Sequence, residues 1–145
     1  MDKKPSSSKL LKIILPVALL AGIPMALLFS SKGDNRSQAL YETHCGNCHM
    51  ENGEGLKSLI PPLAGSDYLT NHPEKIACII RYGQSGEITV NGTTYNQSMP
   101  GIPQLTEVEI ANIINYINQQ WGNDAKPVSA ATVKKHLKNC KNSQP

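Results

Sequence analysis

The stretch Cys45-Gly46-Asn47-Cys48-His49 is the part of this 145-residue chain that decides its fold. Two cysteines separated by two residues place both sulfurs on one side of a helical turn, where they can add to the two vinyl groups of a haem. The histidine that follows them then faces the iron as its proximal ligand. The motif therefore predicts one covalently attached haem, haem c, bound through Cys45, Cys48 and His49.

Two other kinds of site contain a Cys-x-x-Cys pair. Thiol-redox domains place the pair at the start of a helix that follows a strand, but no βαβ pattern precedes Cys45. A structural zinc site needs about four Cys or His ligands, usually in separated pairs. Here His44, Cys45, Cys48 and His49 are crowded together, and no second pair follows. The sequence therefore favours haem over zinc or a redox dithiol.

The chain has four methionines that could bind the iron from the opposite side. Met1 and Met25 lie before or within an apolar N-terminal segment. Met50 adjoins His49, so it is tied to the proximal side and cannot reach the other face. Met99 alone remains as a thioether ligand.

The surroundings of Met99 also favour ligation. It lies in the loop Asn96-Gln97-Ser98-Met99-Pro100-Gly101, just before the last predicted helix of the domain. A methionine that only fills a gap in the core is the alternative, but a polar loop bounded by Pro and Gly is a poor place for one. The competing nitrogen ligands are His44, which adjoins the motif, and His72, at a predicted helix start. We predict that His49 and Met99 bind the metal.

An apolar segment near the N-terminus predicts a membrane anchor. Residues 10–29 are apolar apart from Lys12, and residues 13–29 form a run of 17 without a charge. About 20 apolar residues span a bilayer, and 17 lie near the lower limit. Four lysines precede the run, which predicts a single-pass protein of the cytoplasmic (inner) membrane with the haem domain in the periplasm or extracytoplasmic space. The alternative is a cleaved secretory signal, which has a shorter apolar region and a small-residue cleavage site.

The net charge of +3 conceals three regions of opposite sign. Residues 1–36 carry six Lys/Arg and two Asp (+4), residues 37–123 carry three Lys/Arg and eight Asp/Glu (−5), and residues 124–145 carry five Lys and one Asp (+4). Proteins that bind nucleic acid carry basic residues on the folded part, so no nucleic-acid partner is expected. We divide the chain into an anchor or signal (1–30), a polar linker (31–36), a domain (37–123) and a basic tail (124–145).

Residues 37–123 carry the signals of a mostly helical domain. A first helix is predicted to begin with Ser37 as its N-cap. A second begins at Pro73, which suits the first helical position, and stops at Gly83. A third begins with a capping box from Thr106 to Glu109 and continues through isoleucines at helical spacing. The fold class predicted is therefore all-α.

Two further patterns lie between and after these helices. Asn91-Gly92, flanked by β-forming residues, predicts a small hairpin. The basic tail has only a weak apolar stripe and is interpreted as a loosely docked extension. Cys78 is expected to face outwards, where an exported cysteine tends to find a partner. We predict a disulfide with Cys140, and two unpaired thiols are the alternative.

Residues 37–123 as a whole resemble a mono-haem class I c-type cytochrome. The matching stretches are LYETHCGNCH, IPPLAGS, YNQSMPG and YINQQWGN. The resemblance implies a class I cytochrome c fold with a small β-hairpin, preceded here by one transmembrane helix. It also implies that Leu40 and Tyr41 of the first helix meet the last helix near Trp121. In this family a proline carbonyl accepts the ring N–H of the proximal histidine.

The resemblance implies further haem contacts and a function. Pro61 or Pro62 matches the proline whose carbonyl accepts that bond, and Pro62 and Leu63 are expected to contact the haem. The function implied is a membrane-tethered one-electron carrier between respiratory complexes, not an enzyme, working as a monomer or complex subunit. The alternatives are a cytochrome subunit of an oxidase or dehydrogenase, and a haem sensor or peroxidase with a labile distal ligand. The acidic domain favours a redox partner with a basic docking surface, unless the acidic surface is merely solvated.

Overall fold

A computed structural model describes residues 32–140 of the chain. The predicted membrane segment at residues 10–29 lies outside this range, and no helix within it is long and apolar enough to cross a bilayer. Six helices and four short strands follow one another in the described range. In chain order they are α1 (Lys32–His44), α2 (Gly46–His49), α3 (Asp67–Asn71), α4 (Pro73–Tyr82), β1 (Gly83–Gln84), β2 (Ile88–Val90), β3 (Thr93–Tyr95), β4 (Met99–Pro100), α5 (Glu107–Gln119) and α6 (Ala130–Cys140).

Helix α1 begins earlier than the sequence predicts. It is already helical at Lys32, so Ser37 lies inside it and is not its N-cap. The expected linker at 31–36 is therefore helical from residue 32 onwards. Gly33, Asp34 and Asn35 are weak helix formers, but none of them interrupts a helix as a proline would. A polar composition was not sufficient to end the helix.

The predicted starts of α4 and α5 are confirmed. Pro73 occupies the first turn of α4, and Gly83 caps its C-terminus with φ +88°. Thr106 and Glu109 form the capping box of α5, with both side chain–backbone hydrogen bonds present. Helix α5 ends at Gln119, however, and Trp121 has a φ of +53°, so the tryptophan lies beyond the helix.

Two antiparallel ribbons accompany the helices. The hairpin at Asn91-Gly92 is confirmed, and it pairs β2 with β3. A second ribbon, which the sequence did not predict, pairs β1 with β4 so that Gln84 lies opposite Met99. This ribbon joins the end of α4 to the loop that carries Met99.

The C-terminal helix α6 corrects the prediction of a loosely docked tail. Its apolar face is buried against α4 and α5. Val133 is completely buried, while Leu137 and Cys140 are 7% exposed, and all three belong to the main core cluster. These residues recur at helical spacing, so they form one apolar face. Three such positions are enough to bury the helix when a partner surface is available. The core therefore extends beyond residue 123.

The predicted disulfide between Cys78 and Cys140 is present. It joins α4 to the last residue of α6, with a Cα–Cα distance of 5.9 Å across a sequence separation of 62. Cys78 is half-buried rather than outward-facing, because α6 covers it. The disulfide and the buried face of α6 thus fix the same helix to the core.

An aromatic cluster joins α1 to the end of α5, as the resemblance implied. The Tyr41 ring lies 5.1 Å from that of Trp121 and 5.4 Å from that of Tyr116, measured between centroids. Tyr41 is fully buried, and its hydroxyl donates to the carbonyl of Met50 at 2.6 Å. The cluster therefore holds the segment that follows the Cys-x-x-Cys-His motif against α5.

Candidate functional site

The motif Cys45–His49 forms a compact helical turn at the end of α1. The Cys45 amide donates to the Tyr41 carbonyl at 2.7 Å, and the His49 amide donates to the Cys45 carbonyl at 2.9 Å. Cys45 is buried, Cys48 is exposed, and neither forms a disulfide. Burial, together with the nearby Cys48 thiol, raises the pKa of Cys45 to about 11. The two thiols are thus unpaired and held one turn apart, as attachment to two vinyl groups requires.

His49 is buried, and its ring has a fixed orientation. Its Nδ1 lies 3.1 Å from the carbonyl oxygen of Pro61. Because a carbonyl can only accept, Nδ1 carries the proton and Nε2 keeps its lone pair. Burial lowers the pKa of His49, against the opposing effect of the Pro61 bond. The ring is therefore held neutral with one nitrogen available to a metal.

Pro61, not Pro62, supplies the carbonyl that orients His49. The sequence alone did not distinguish between the carbonyls of these two prolines, because the choice depends on which carbonyl faces the histidine. The direction of the Pro61 carbonyl depends on how the segment that follows it is held. The amides of Leu63 and Ala64 both donate to the Gly53 carbonyl, at 2.7 and 2.9 Å. Pro62 does not make the bond; it lines the adjacent cavity.

Glycine at position 55 allows the loop after the motif to approach the Pro61 segment. Gly55 has a φ of +67°, and a Cβ there would overlap the Ile60 carbonyl oxygen and lie 2.7 Å from that of Pro61. The Gly55 amide also donates to the His49 carbonyl at 3.1 Å. Sequence reasoning did not identify this contribution, although the Gly-rich string Glu51-Asn52-Gly53-Glu54-Gly55 was a visible signal of tight backbone.

A largely apolar cavity of about 280 Å³ opens beside the motif. Its position brings together all six residues predicted for the site: Cys45, Cys48, His49, Pro62, Leu63 and Met99. The mouth includes Leu56 and Leu59, which are 41% and 56% exposed although both are large and apolar. The remaining apolar wall comes mainly from α4 and the β2–β3 hairpin, through Ile76, Ile79, Ile80, Ile88, Val90 and Tyr95.

Met99 is the methionine that reaches this cavity. It is half-buried in β4, opposite Gln84 of β1. Met50 is not among the lining residues, and neither are His44 and His72. The ring of His72 instead contacts that of Tyr68, with 4.6 Å between centroids. The structure therefore leaves Met99 as the candidate for a second axial ligand.

The residues present fit a covalently attached haem. Two unpaired thiols, a neutral imidazole with a free Nε2 and a thioether all border one apolar cavity, which matches the donor set of a c-type haem. Within residues 32–140, no group of three or more His, Cys, Asp or Glu side chains is arranged to hold a metal ion. The zinc alternative thus has no ligand set in this part of the chain.

The chain is similar in sequence to known proteins. The family model for cytochrome c matches residues 35–121. A cytochrome c-552 of Thermus thermophilus is 32% identical in an alignment 133 positions long, which covers 86% of this chain and 84% of that protein. The cytochrome c subunit of a quinone alcohol dehydrogenase from Gluconobacter oxydans is 32% identical over 117 residues, 79% of this chain but 24% of the subunit. A fructose dehydrogenase cytochrome subunit from Gluconobacter japonicus is 34% identical in an alignment 106 positions long, which covers 66% of this chain and 21% of that subunit.

Proposed function

The chain belongs to the cytochrome c family, as a class I c-type cytochrome with one covalently bound haem c, and we propose that it is a membrane-tethered electron carrier that connects respiratory complexes. Proteins of this family generally function as electron carriers. The tether and the respiratory partners are the parts that the proposal adds.

One observation supports the role of electron carrier: His49 and Met99 both border the cavity beside the two attachment cysteines. The bound haem supplies an iron that changes its charge by one electron. His49, kept neutral and oriented by Pro61, offers Nε2 on the proximal side. Met99 offers a thioether, which favours the ferrous state relative to a second histidine. With both ligands in place no position is open to a substrate, so the chain acts as a carrier and not as an enzyme.

The apolar surroundings of the site support the same role. Ile76 and Ile80 are nearly buried and line the cavity together with Val90 and Tyr95. Such a lining excludes water, and it limits the reorganisation that accompanies a change of charge. Leu59 lines the cavity and is 56% exposed, so it offers an apolar contact at which a redox partner can approach the site.

The membrane tether rests on the amino-acid sequence of residues 10–29. Seventeen uncharged residues, preceded by four lysines, match a single span with the N-terminus in the cytoplasm. The haem domain then faces the periplasm or extracytoplasmic space. A tether confines the domain to the membrane surface, which raises the frequency of its encounters with membrane complexes.

A second candidate function is a subunit of a dehydrogenase complex. The similarity to cytochrome subunits of alcohol and fructose dehydrogenases favours it, although this chain spans about a quarter of those subunits or less. Co-purification separates the two functions. A subunit stays with its dehydrogenase through gentle detergent extraction and gel filtration, whereas a carrier elutes alone.

Spectroscopy of the ferric protein tests the ligands. The full chain, matured in a bacterial host that attaches haem, is expected to show the charge-transfer absorption of a thioether bound to ferric iron. The Met99→Ala variant loses this band and binds CO rapidly when reduced, whereas the matched Met50→Ala variant keeps the band. Retention of the band in Met99→Ala contradicts the assignment of Met99 as the ligand. Rapid CO binding by the reduced wild-type protein, or rapid reaction of the ferric wild-type protein with peroxide, contradicts the carrier role and favours a sensor or peroxidase.

Membrane fractionation tests the tether. The haem protein is expected in the membrane pellet after an alkaline wash, with an intact mass that includes residues 1–30. A soluble protein whose mass lacks that segment shows a cleaved signal and contradicts the tether. The ligand assignment is unaffected by this outcome, because it rests on residues of the domain.

A further inference from the structure

The segment that carries Met99 is attached to the C-terminal end of α4 on both of its sides. Before Met99, the Ser98 hydroxyl donates to the Gln84 carbonyl at 3.4 Å, and β4 pairs with β1. After it, the Ile102 amide donates to the Ile80 carbonyl at 2.8 Å. The position of Met99 therefore depends on how closely this segment follows α4.

Two glycines allow a very close approach of the two backbones. A Cβ on Gly101 would lie 2.5 Å from the carbonyl carbon of Tyr82 and 2.8 Å from the carbonyl oxygen of Arg81. Gly101 does not have a positive φ, so an alanine there would be excluded by space alone. A Cβ on Gly83 would similarly lie 2.5 Å from the Met99 carbonyl oxygen. Any outward movement of the segment thus separates a tightly fitted contact.

Arg81 makes the one side-chain hydrogen bond described between α4 and the segment beyond Met99. Its Nη1 donates to the carbonyl oxygen of Pro103 at 3.0 Å. The Nε of the same guanidinium is buried and has no hydrogen-bond partner among the described residues. An unpaired buried donor costs stability, so this contact is poorly arranged as a source of global stability. It is well arranged to hold one carbonyl in place.

We propose that Arg81 is a positioning residue for Met99. By holding the Pro103 carbonyl, it closes the segment between β4 and α5 onto the end of α4 and keeps the thioether in the haem cavity. This inference rests on the ligation by Met99 proposed above. Without the guanidinium, only backbone bonds, the long Ser98–Gln84 hydrogen bond and van der Waals contact oppose opening of the segment, and the thioether leaves the iron more often.

Imidazole binding to the ferric holoprotein measures that opening, because imidazole can bind only after Met99 has left. In Arg81→Gln the binding rate is expected to rise about tenfold, the factor for one hydrogen bond of ordinary strength, and the thioether–iron band to weaken. Arg81→Lys retains a donor for Pro103 and is expected within about twofold of wild type. The matched control Lys75→Gln removes one positive charge from an exposed position of the same helix and is expected to change neither readout.

Two further variants guard against a folding failure. Arg81→Leu removes the donor and places an apolar side chain at this half-buried position. It replaces Arg81→Gln if Arg81→Gln does not accumulate. Gly101→Ala displaces the segment while leaving Arg81 in place, and it is expected to accelerate imidazole binding by at least the same factor. The free energy of unfolding, measured for each variant in denaturant, separates local opening from global loss of stability.

The outcomes separate this role from the ligation on which it rests. Wild-type imidazole rates and an undiminished band in Arg81→Gln or Arg81→Leu, even with a lower unfolding free energy, overturn the positioning role and leave ligation by Met99 intact. A wild-type ferric protein that lacks the band overturns ligation and the positioning role together. Faster binding in Lys75→Gln as well would also overturn the role, because charge alone would then explain the effect.

Discussion

Reducing the Cys78–Cys140 disulfide is expected to remove a large part of the stability of this domain. The bond closes a loop with a sequence separation of 62 residues, which limits the freedom of the unfolded chain. Loop-closure entropy for that length corresponds to about 4 kcal/mol at 25 °C. Because Cys78 and Cys140 lie on α4 and α6, the loss should appear in the unfolding of the whole core and not only at the terminus.

The measurement compares two ferrous samples of the holoprotein. Both are kept reduced at the iron with ascorbate, and one is also treated with a phosphine that reduces disulfides, so the haem state is the same in each. Guanidinium titrations followed by far-ultraviolet circular dichroism then give the free energy of unfolding. A variant with both Cys78→Ala and Cys140→Ala serves as the control, since the phosphine should have no effect on it.

A loss of about 2–4 kcal/mol on disulfide reduction would agree with the expected loop-closure effect. A loss below about 1 kcal/mol would refute it, because the burial of Val133 and Leu137 would then hold α6 in place without the covalent bond. A loss of the same size in the control variant would show that the phosphine acts elsewhere in the protein.

Three further predictions concern the helices and the loop at the site. Val133→Ala should lower the free energy of unfolding by about 2 kcal/mol, since it removes two buried methyl groups and leaves a cavity; an unchanged denaturation midpoint would mean that α6 adds nothing to the core. Gly55→Ala should cost about 2 kcal/mol more than Gly92→Ala. Both glycines have a positive φ, but only Gly55 would bring a Cβ against the Pro61 carbonyl, so equal losses would contradict the steric argument. Hydrogen bonds from the N-cap residue hold the pKa of Glu109 below its ordinary value of about 4.3, so its stabilisation is full above that pH and lost as pH falls through the lower value. The difference in stability between wild type and Glu109→Gln should therefore shrink between pH 6 and pH 3, and a constant difference would oppose it.

Local sequence signals predicted the elements whose stability is itself local. The capping box of Thr106 and Glu109, and Pro73 at the first turn of α4, specify helix starts through neighbouring backbone groups. Asn91-Gly92 specifies its hairpin in the same way. The attachment motif is equally local, so Cys45 and His49 could be assigned without knowledge of the fold.

Features that depend on distant partners could not be predicted in this way. The apolar positions of α6 are few, and they become significant only beside α4 and α5. The disulfide joins α6 to α4. The choice of Pro61 over Pro62 depends on bonds from Leu63 and Ala64 to Gly53, ten residues or more away. The ribbon that holds Met99 pairs strands of two residues each, too short to leave an alternating pattern.

The four cysteines impose an order on the maturation of this protein. Four thiols can pair completely in three ways, and every one of them consumes Cys45 and Cys48. The single arrangement that includes the Cys78–Cys140 bond also joins Cys45 to Cys48, and so blocks the sulfurs that the vinyl groups need. Complete oxidation of the newly made chain therefore precludes haem attachment. The cell must either install the haem before oxidation is complete or reduce the Cys45–Cys48 pair afterwards.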